Sequence, residues 1–565
     1  MHLMTYLTCK NSISNLNISK NILPEENYNA MRNVIKNKTL FFFFNAALLT
    51  VTSLIMRTVG VAFNVYVTGK LGASGVGLLS LITSAYGFFT TFALSGVNLA
   101  ASRIVAEGLG HENQAEIRGG MKRCLIYSFC FGSVGTLAMF FSAEAIGNLV
   151  IADPRSVRSL RILAPSLLPL AMSSGIYGYL HAVRRVIKSA SAQIAEQVIR
   201  IVVTVLALRA MLPGGLEYAC FAVTLGITIS EMAAFLYNIV IYRTDMKKHC
   251  SEKGIEPAGL TKKMLGISLP MALSSYMRSG LLTLEHMLIP IGLRKSGTSG
   301  ETAIAEYGVL HGMAFPVVLY PQVLLQSISG LLVPEVAEEA ARGNKETINS
   351  IAGRIIHMTL LFSVGTAGIM ICFSSALGRT LYGNDEAGMF IRAIAPLIPV
   401  MYLDSAVDGL LKGLGEQLYS MRVNILDSTL SVAMVWFLLP KYGVWGYVLT
   451  VYACEIINGV LSLCRLLKVT APGISIVRSL IMPLCCTVIC CSFSSKIIPL
   501  LPDFISGGTA GLIISFFISA LIYFILLTVC GCVKFSASKS KRKSGINTYG
   551  TALNKRKKEA AKIKI

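Results

Sequence analysis

Two arginines and a small set of carboxylates stand inside long apolar stretches, and these are the residues with chemistry to offer. Arg57 and Arg278 each fall near the middle of such a stretch. A charged side chain at bilayer depth costs about 2.5–3.5 kcal/mol on insertion scales unless it faces a cavity or a partner. Arginine stays charged, and its planar donor fork matches phosphate oxygens. The pair therefore predicts an anion site for a phosphate-bearing substrate. The alternative is that each arginine snorkels or pairs with a structural carboxylate.

The carboxylates suggest ion coupling. Glu285 follows Arg278 by two helical turns and shares its face. It is either an ion-coupling group or the counter-charge of Arg278. His286, beside it, is expected to hydrogen-bond between helices. Asp404 and Asp408 lie at i and i+4, on one face. Two close carboxylates raise one another's proton affinity and suit proton or sodium exchange; Asp408 at a helix end would instead simply be wet. Glu231 and Glu455 sit in corresponding helices, as coupling groups or in structural pairing with an arginine such as Arg200. Glu196 and Arg200, at i and i+4, are expected to pair. Asp427 lies deep in its stretch with no evident partner.

Other chemistry is missing from the pattern. The sequence has no phosphate-binding glycine-rich loop followed by Lys and Ser/Thr, and no His-Glu-x-x-His motif. The fourteen cysteines form no disulfide or zinc-type framework. Cys485, Cys486, Cys490 and Cys491 cluster on one segment without His, Asp or Glu, so they read as packing residues. The expectation is a non-enzyme with no cofactor and no metal.

The elements that must position these groups follow from composition. The 565-residue chain is 54% hydrophobic and 14% charged, against about 25% charged in soluble domains. That excludes a soluble enzyme, a disordered chain and a disulfide scaffold. About fourteen segments, from 40–68 to 506–531, are long and apolar enough to cross a bilayer. The expected fold is thus an all-α polytopic membrane protein with about 14 transmembrane helices.

The net charge of +22 fits basic cytoplasmic loops rather than nucleic acid. An even number of spans puts both termini on one side, and the Lys/Arg distribution makes that side cytoplasmic. The first residues show no secretory signal, and Met31 is an alternative start. The tail from Lys534 is strongly basic, either a topology anchor or a contact for anionic lipids.

The chain also repeats itself. At an offset of 231 positions, "VAEGLGHENQAEI" at 105–117 lies over "VAEEAARGNKETI" at 336–348. In the same register Gly77 falls on Gly308, Pro165 on Pro396 and Gly178 on Gly409, and a shift near 221 places Arg57 on Arg278. Six spans per repeat give parallel halves with a site between them, a common transporter plan. The expected organisation is a polar N-tail over 1–38, an N-lobe over 39–242 (spans 1–6) and a basic cytoplasmic linker over 243–263. A C-lobe follows over 264–465 (spans 7–12), then two further spans within 479–531 and a basic tail over 532–565.

The stretch "TSLIMRTVGVAFNVYVTGKLGASGVGLLSLITSAYGFFTTFALSGVNLAASRIVAEGLG" at 52–110 resembles the polysaccharide-flippase branch of the multidrug/oligosaccharidyl-lipid/polysaccharide exporter superfamily. Within it the likeness is to the stage V sporulation protein B-like group, which includes lipid II flippases. The resemblance implies two pseudo-symmetric six-helix lobes plus two C-terminal helices, located in the plasma membrane. It implies an undecaprenyl-pyrophosphate-linked saccharide as cargo, flipped outward by an H+ or Na+ gradient or by membrane potential. It also implies that Arg57 and Arg278 hold the pyrophosphate, with the lipid tail in an apolar groove along spans 13 and 14. The drug-exporting branch carries an acidic residue in span 1, where this chain has Arg57. The alternatives are a cation-coupled multidrug exporter, in which the carboxylates dominate, and a non-transporting scaffold for envelope assembly.

Overall fold

The computed structural model describes residues 25–249, 256–326, 336–337, 339–340, 342–497 and 508–532. The start of the polar N-tail, part of the basic linker, most of the "VPEVAEEAA" stretch and the basic tail lie outside them. Among the described residues there are helices and turns and no strand. The N-lobe comprises α1 (Glu25–Leu94), α2 (Val97–Gly110), α3 (Gln114–Ala145), α4 (Ser156–Leu163), α5 (Leu167–Ala182), α6 (Val186–Met211) and α7 (Leu216–His249). The C-lobe comprises α8 (Leu260–Lys295), α9 (Gly300–Gly308), α10 (Phe315–Leu319), α11 (Lys345–Tyr382), α12 (Asp385–Ile394), α13 (Ile398–Gly413), α14 (Gln417–Tyr442) and α15 (Val444–Val469). Helices α16 (Met482–Ile497) and α17 (Gly508–Val529) follow.

Among the described residues ten helical runs are long and apolar enough to cross a membrane, one of them, Leu54–Gly110, carrying the first two of the fourteen expected spans. Runs α6 and α8 are not among the ten, although they are 26 and 36 residues long. Polar side chains such as Gln193, Glu196, Arg200, Arg278 and Glu285 lower their mean hydropathy. Helix α1 begins at Glu25, so part of the expected polar tail is helical. It breaks at Gly72, with φ 70° and ψ −179°, a backbone conformation essentially restricted to glycine. That break separates the first two spans within "KLGASG".

The outer surface is apolar. Phe141, Leu236, Phe437 and Phe517 are exposed, as expected for side chains that face lipid.

The repeat is visible residue by residue. The 3₁₀ turns Ala164–Ser166 and Ala395–Leu397 fall 231 positions apart, and so do the starts and ends of α5 and α13, and of α6 and α14. Both turns carry a proline, which cannot continue the α-helical hydrogen bonding and so ends the preceding helix. Asn113 and Asn344, also 231 apart, cap the N-termini of α3 and α11 through their side-chain oxygens.

Helix α8 joins the halves. On one side Tyr276, Gly280 and Thr283 run down α1: the Tyr276 hydroxyl donates to the Phe92 carbonyl at 3.2 Å, a Cβ on Gly280 would meet Phe88, and Thr283 donates to the Ser84 carbonyl at 3.2 Å. On another side α8 lies along α14, with Ser274 against Met421 and Gly292 against Leu439. At its N-terminal end Lys263 bonds Glu107 at 2.5 Å and Glu116 at 3.1 Å, which holds the ammonium above the ordinary lysine pKa.

Candidate functional site

A cavity of about 630 Å³ lies between the lobes. Its N-lobe wall is Arg57, Gly60 and Asn64 of α1 with Gln193 and Gln197 of α6. Its C-lobe wall is His311, in the π-helical turn Val309–Ala314, with Phe315, Pro316 and Leu319. Glycine at 60 keeps the wall low; a Cβ there would stand 3.9 Å from the Gln197 amide nitrogen. Arg57 is exposed to this space and makes no ion pair among the described residues. No carboxylate lines the cavity among those residues. The lining is therefore one permanent cation, three carboxamides and an imidazole against an apolar wall. Guanidinium and amide donors suit phosphate and sugar oxygens.

Arg278 is not part of that lining. Its guanidinium interacts electrostatically with Asp404 and Asp427. Of the two arginines expected to share the space between the lobes, Arg57 lines this cavity and Arg278 does not. The repeats also differ at another place. Glu196 and Arg200 on α6 correspond, 231 positions on, to Asp427 and Ser431 on α14. In the N-lobe the carboxylate has its cation on the same helix: Arg200 bonds Glu196 at 2.5 Å and Glu231 at 3.2 Å. In the C-lobe a serine stands in place of that cation, and Asp427 keeps one buried oxygen without a partner; Arg278 of α8, itself exposed and without an ion pair among the described residues, acts on it only electrostatically. Arg57, the counterpart of Arg278, lines the cavity.

The remaining carboxylates gather in the C-lobe on four helices. Asp404 accepts from the Asn458 amide at 3.3 Å, and its other oxygen is buried without a partner. Asp427 also has one buried oxygen without a partner. Glu285 is 8% exposed, accepts from the Tyr447 hydroxyl at 3.5 Å and is bonded by Ser431. Glu455 senses Asp404, Asp427 and Glu285 electrostatically. Asp408 is apart from this group, held by Lys412 at 2.6 Å and by the Ser420 hydroxyl. No three of these groups converge closely enough to enclose a metal ion among the described residues. Glu231, in the N-lobe, belongs to the Arg200 triad instead. The sequence reading did not single out Asn64, Gln193, Gln197, Tyr307, His311 or Tyr447. Gln193 and Gln197 had a signal, since they are one helical turn apart in an otherwise apolar span.

The family model described as "Polysaccharide biosynthesis protein" matches residues 43–334. The chain belongs to that family. A second model, described as "MatE", matches residues 296–437. Stage V sporulation protein B of Bacillus subtilis (strain 168) is 24% identical over 505 residues, covering 87% of this chain and 96% of that protein. Lipid II flippase MurJ of the same organism is 22% identical over 363 residues, 60% of this chain and 65% of that protein. Among solved structures, lipid II flippase MurJ in an inward closed conformation covers 86% of this chain and 98% of its own, at TM-score 0.63 and 14% identity. An inward-facing multidrug resistance MATE transporter covers 75% and 98%, at TM-score 0.59 and 14% identity. As a member of the polysaccharide biosynthesis protein family the chain has the fold of the multidrug/oligosaccharidyl-lipid/polysaccharide exporter superfamily. It is a multi-pass membrane transporter, not an enzyme.

Proposed function

We propose that this transporter is a flippase for a polyprenyl-pyrophosphate-linked saccharide, moved from the inner to the outer leaflet of the plasma membrane by alternating access. The observation that carries the reading is Arg57 at the wall of an inter-lobe cavity with no carboxylate in its described lining. A guanidinium without an ion pair, set among carboxamides, favours an anionic, hydroxyl-rich head group and disfavours a cationic drug. The C-lobe carboxylates supply candidate groups for H+ or Na+ coupling: Glu285, Asp404 and Glu455, with Asp427 beside them. Rocking of one lobe against the other about the α1–α8 contact would expose the cavity to each leaflet in turn. The Lys/Arg distribution supports cytoplasmic termini, and the basic tail suits anionic lipids. Relatives named for sporulation and for lipid II flipping support a role in envelope biogenesis.

The C-lobe match to the MatE model, which spans Asp404 and Asp427, keeps a cation-coupled multidrug exporter as the second reading. One assay separates the two: flipping of lipid II in vesicles, alongside efflux of a panel of cationic drugs, for wild type, Arg57→Ala and Arg278→Ala. The flippase reading expects lipid II translocation that Arg57→Ala abolishes. Drug efflux indifferent to Arg57→Ala, with no lipid II movement, would overturn it. A scaffold would move neither cargo.

A further inference from the structure

The C-lobe wall of the cavity contains a second group suited to an anion, and its charge is conditional. His311 lies in the π turn Val309–Ala314 of the α9–α10 run; single π turns inside helices recur at functional sites. The turn is pressed onto the N-lobe: a Cβ on Gly312 would stand 2.0 Å from a Val76 methyl. Four rings enclose the imidazole. Tyr307 stacks on it at 4.6 Å, His286 lies at 4.7 Å, Phe315 at 5.2 Å and Tyr447 at 5.3 Å. Its Nε2 is buried and makes no hydrogen bond, although the residue lines the cavity. Buried polar atoms without partners are rare in native proteins and call for an explanation.

Resting on the flippase reading, we propose that His311 is a second, conditional cation of the inter-lobe cavity. When a phosphate oxygen of the cargo enters beside Arg57, the imidazole of His311 donates a hydrogen bond to it. The ring takes up one proton from water as it does so. A pyrophosphate carries more negative charge than one guanidinium offsets, and the unbonded imidazole nitrogen belongs to the one other lining side chain, among the described residues, that can become a cation. Burial and Arg57 both oppose a charge on the ring. An oxyanion between them favours it, and the aromatic faces favour the imidazolium further.

The titratable surroundings are consistent with a ring that stays neutral until an anion arrives. Helix α8 contributes Glu285 and His286; the His286 Nδ1 shares a hydrogen bond with the Tyr307 hydroxyl at 3.1 Å. Helix α15 contributes Tyr447, whose hydroxyl is turned to Glu285 at 3.5 Å. From α1 comes Arg57, and from α6 come the neutral Gln193 and Gln197. On α12, which packs against the π turn, Asp385 is paired with Arg379, and Glu386 faces Glu306 electrostatically. Among the described residues no carboxylate bonds the imidazole, so the counter-charge is left for the cargo. By linkage, binding that draws in a proton is itself tightened by acid, in equal measure.

The test uses the full chain in lipid nanodiscs and two probes, farnesyl pyrophosphate and inorganic pyrophosphate. Calorimetry in buffers of different ionisation enthalpy counts the protons exchanged between pH 5.5 and 8. His311→Phe keeps the ring packing, and His311→Gln keeps a neutral donor. The probes' own titration is common to all variants and cancels in the difference. Wild type should take up close to one proton more than either variant, and its affinity should strengthen towards acid by up to about tenfold per pH unit, with both variants flatter. Tight binding of the prenylated probe alone makes the ligand a lipid head group; equal binding of inorganic pyrophosphate makes it a free anion, and the proton count decides the role of His311 in either case. Arg57-dependent binding with the same proton count in wild type and both variants overturns the inference and leaves the flippase reading standing. Binding of neither probe to wild type overturns both.

Discussion

Gly77 and Gly308, 231 positions apart in sequence and equivalent in the repeat, pack directly on each other between the lobes. A Cβ on Gly308 would stand 2.2 Å from the Ala73 carbonyl oxygen and 2.5 Å from the Gly77 nitrogen; one on Gly77 would stand 1.9 Å from the Ile304 carbonyl oxygen. The obstacles are backbone, which cannot rotate away. Small residues at such crossings let helices approach in a lipid setting, where apolar burial gives little drive to associate.

The first prediction concerns this contact. Gly77→Ala and Gly308→Ala should each cost about 1–3 kcal/mol by overpacking, read as a lowered melting temperature in detergent, with reduced transport. Gly87→Ala, on the same helix with nothing within 4 Å of its added Cβ, is the control and should melt like wild type. Equal melting of all three variants would mean that the lobes do not meet here.

The two arginines should separate by experiment. Arg57 makes no ion pair among the described residues, so Arg57→Ala should leave stability within about 0.5 kcal/mol while abolishing cargo binding. Arg278→Ala removes the guanidinium that acts electrostatically on Asp404 and Asp427 and should destabilise the C-lobe. Adding Asp427→Asn should restore part of that loss, with a coupling energy of about 0.5–3 kcal/mol in a double-mutant cycle. A coupling near zero would refute that interaction.

The N-lobe triad gives the converse prediction. Arg200 holds Glu196 and Glu231 together, so Arg200→Ala leaves two carboxylates facing each other away from bulk water. The expected cost is about 3 kcal/mol, with part regained on adding Glu231→Gln. Glu231→Gln alone should fold and transport, whereas Glu285→Gln should lose ion dependence in a flipping assay at varied pH and sodium. Loss of ion dependence in Glu231→Gln instead would move the coupling site to the N-lobe.

Much of this architecture was legible in the sequence because it is written in symmetry. The register of 231 that aligns Pro165 with Pro396 is the register of the 3₁₀ turns Ala164–Ser166 and Ala395–Leu397. The different placing of Arg57 and Arg278 was not legible, because only the three-dimensional packing brings Arg57 to the cavity wall and leaves Arg278 out of it. His311 was missed for a related reason. A lone histidine in an apolar span has no periodic signal, and only the packing of Tyr307, His286 and Tyr447 from three helices gives it a setting.

The N-terminal end of α8 is fastened to the N-lobe by Lys263. Lys263 bonds two carboxylates of unlike exposure: Glu107 is 33% exposed, while Glu116 is 4% exposed and also meets the His111 Nδ1 at 3.0 Å. An exposed pair contributes about 0.2–1 kcal/mol, so Glu107→Ala should cost no more than that. Lys263→Ala strands the buried Glu116 with only a titratable histidine for company, and such a charge-assisted bond is worth about 1.5–3 kcal/mol. Its destabilisation should therefore exceed that of Glu107→Ala and should shrink when Glu116→Gln is added, because the glutamine needs no cation. Molar salt should narrow the Glu107→Ala difference far more than the Lys263→Ala difference, since solvent ions screen the exposed pair and not the buried one. Thermal melting of wild type and the three variants at two salt concentrations checks the order, and a larger effect from Glu107→Ala would show that the exposed arm, not the buried one, fastens α8 to the N-lobe.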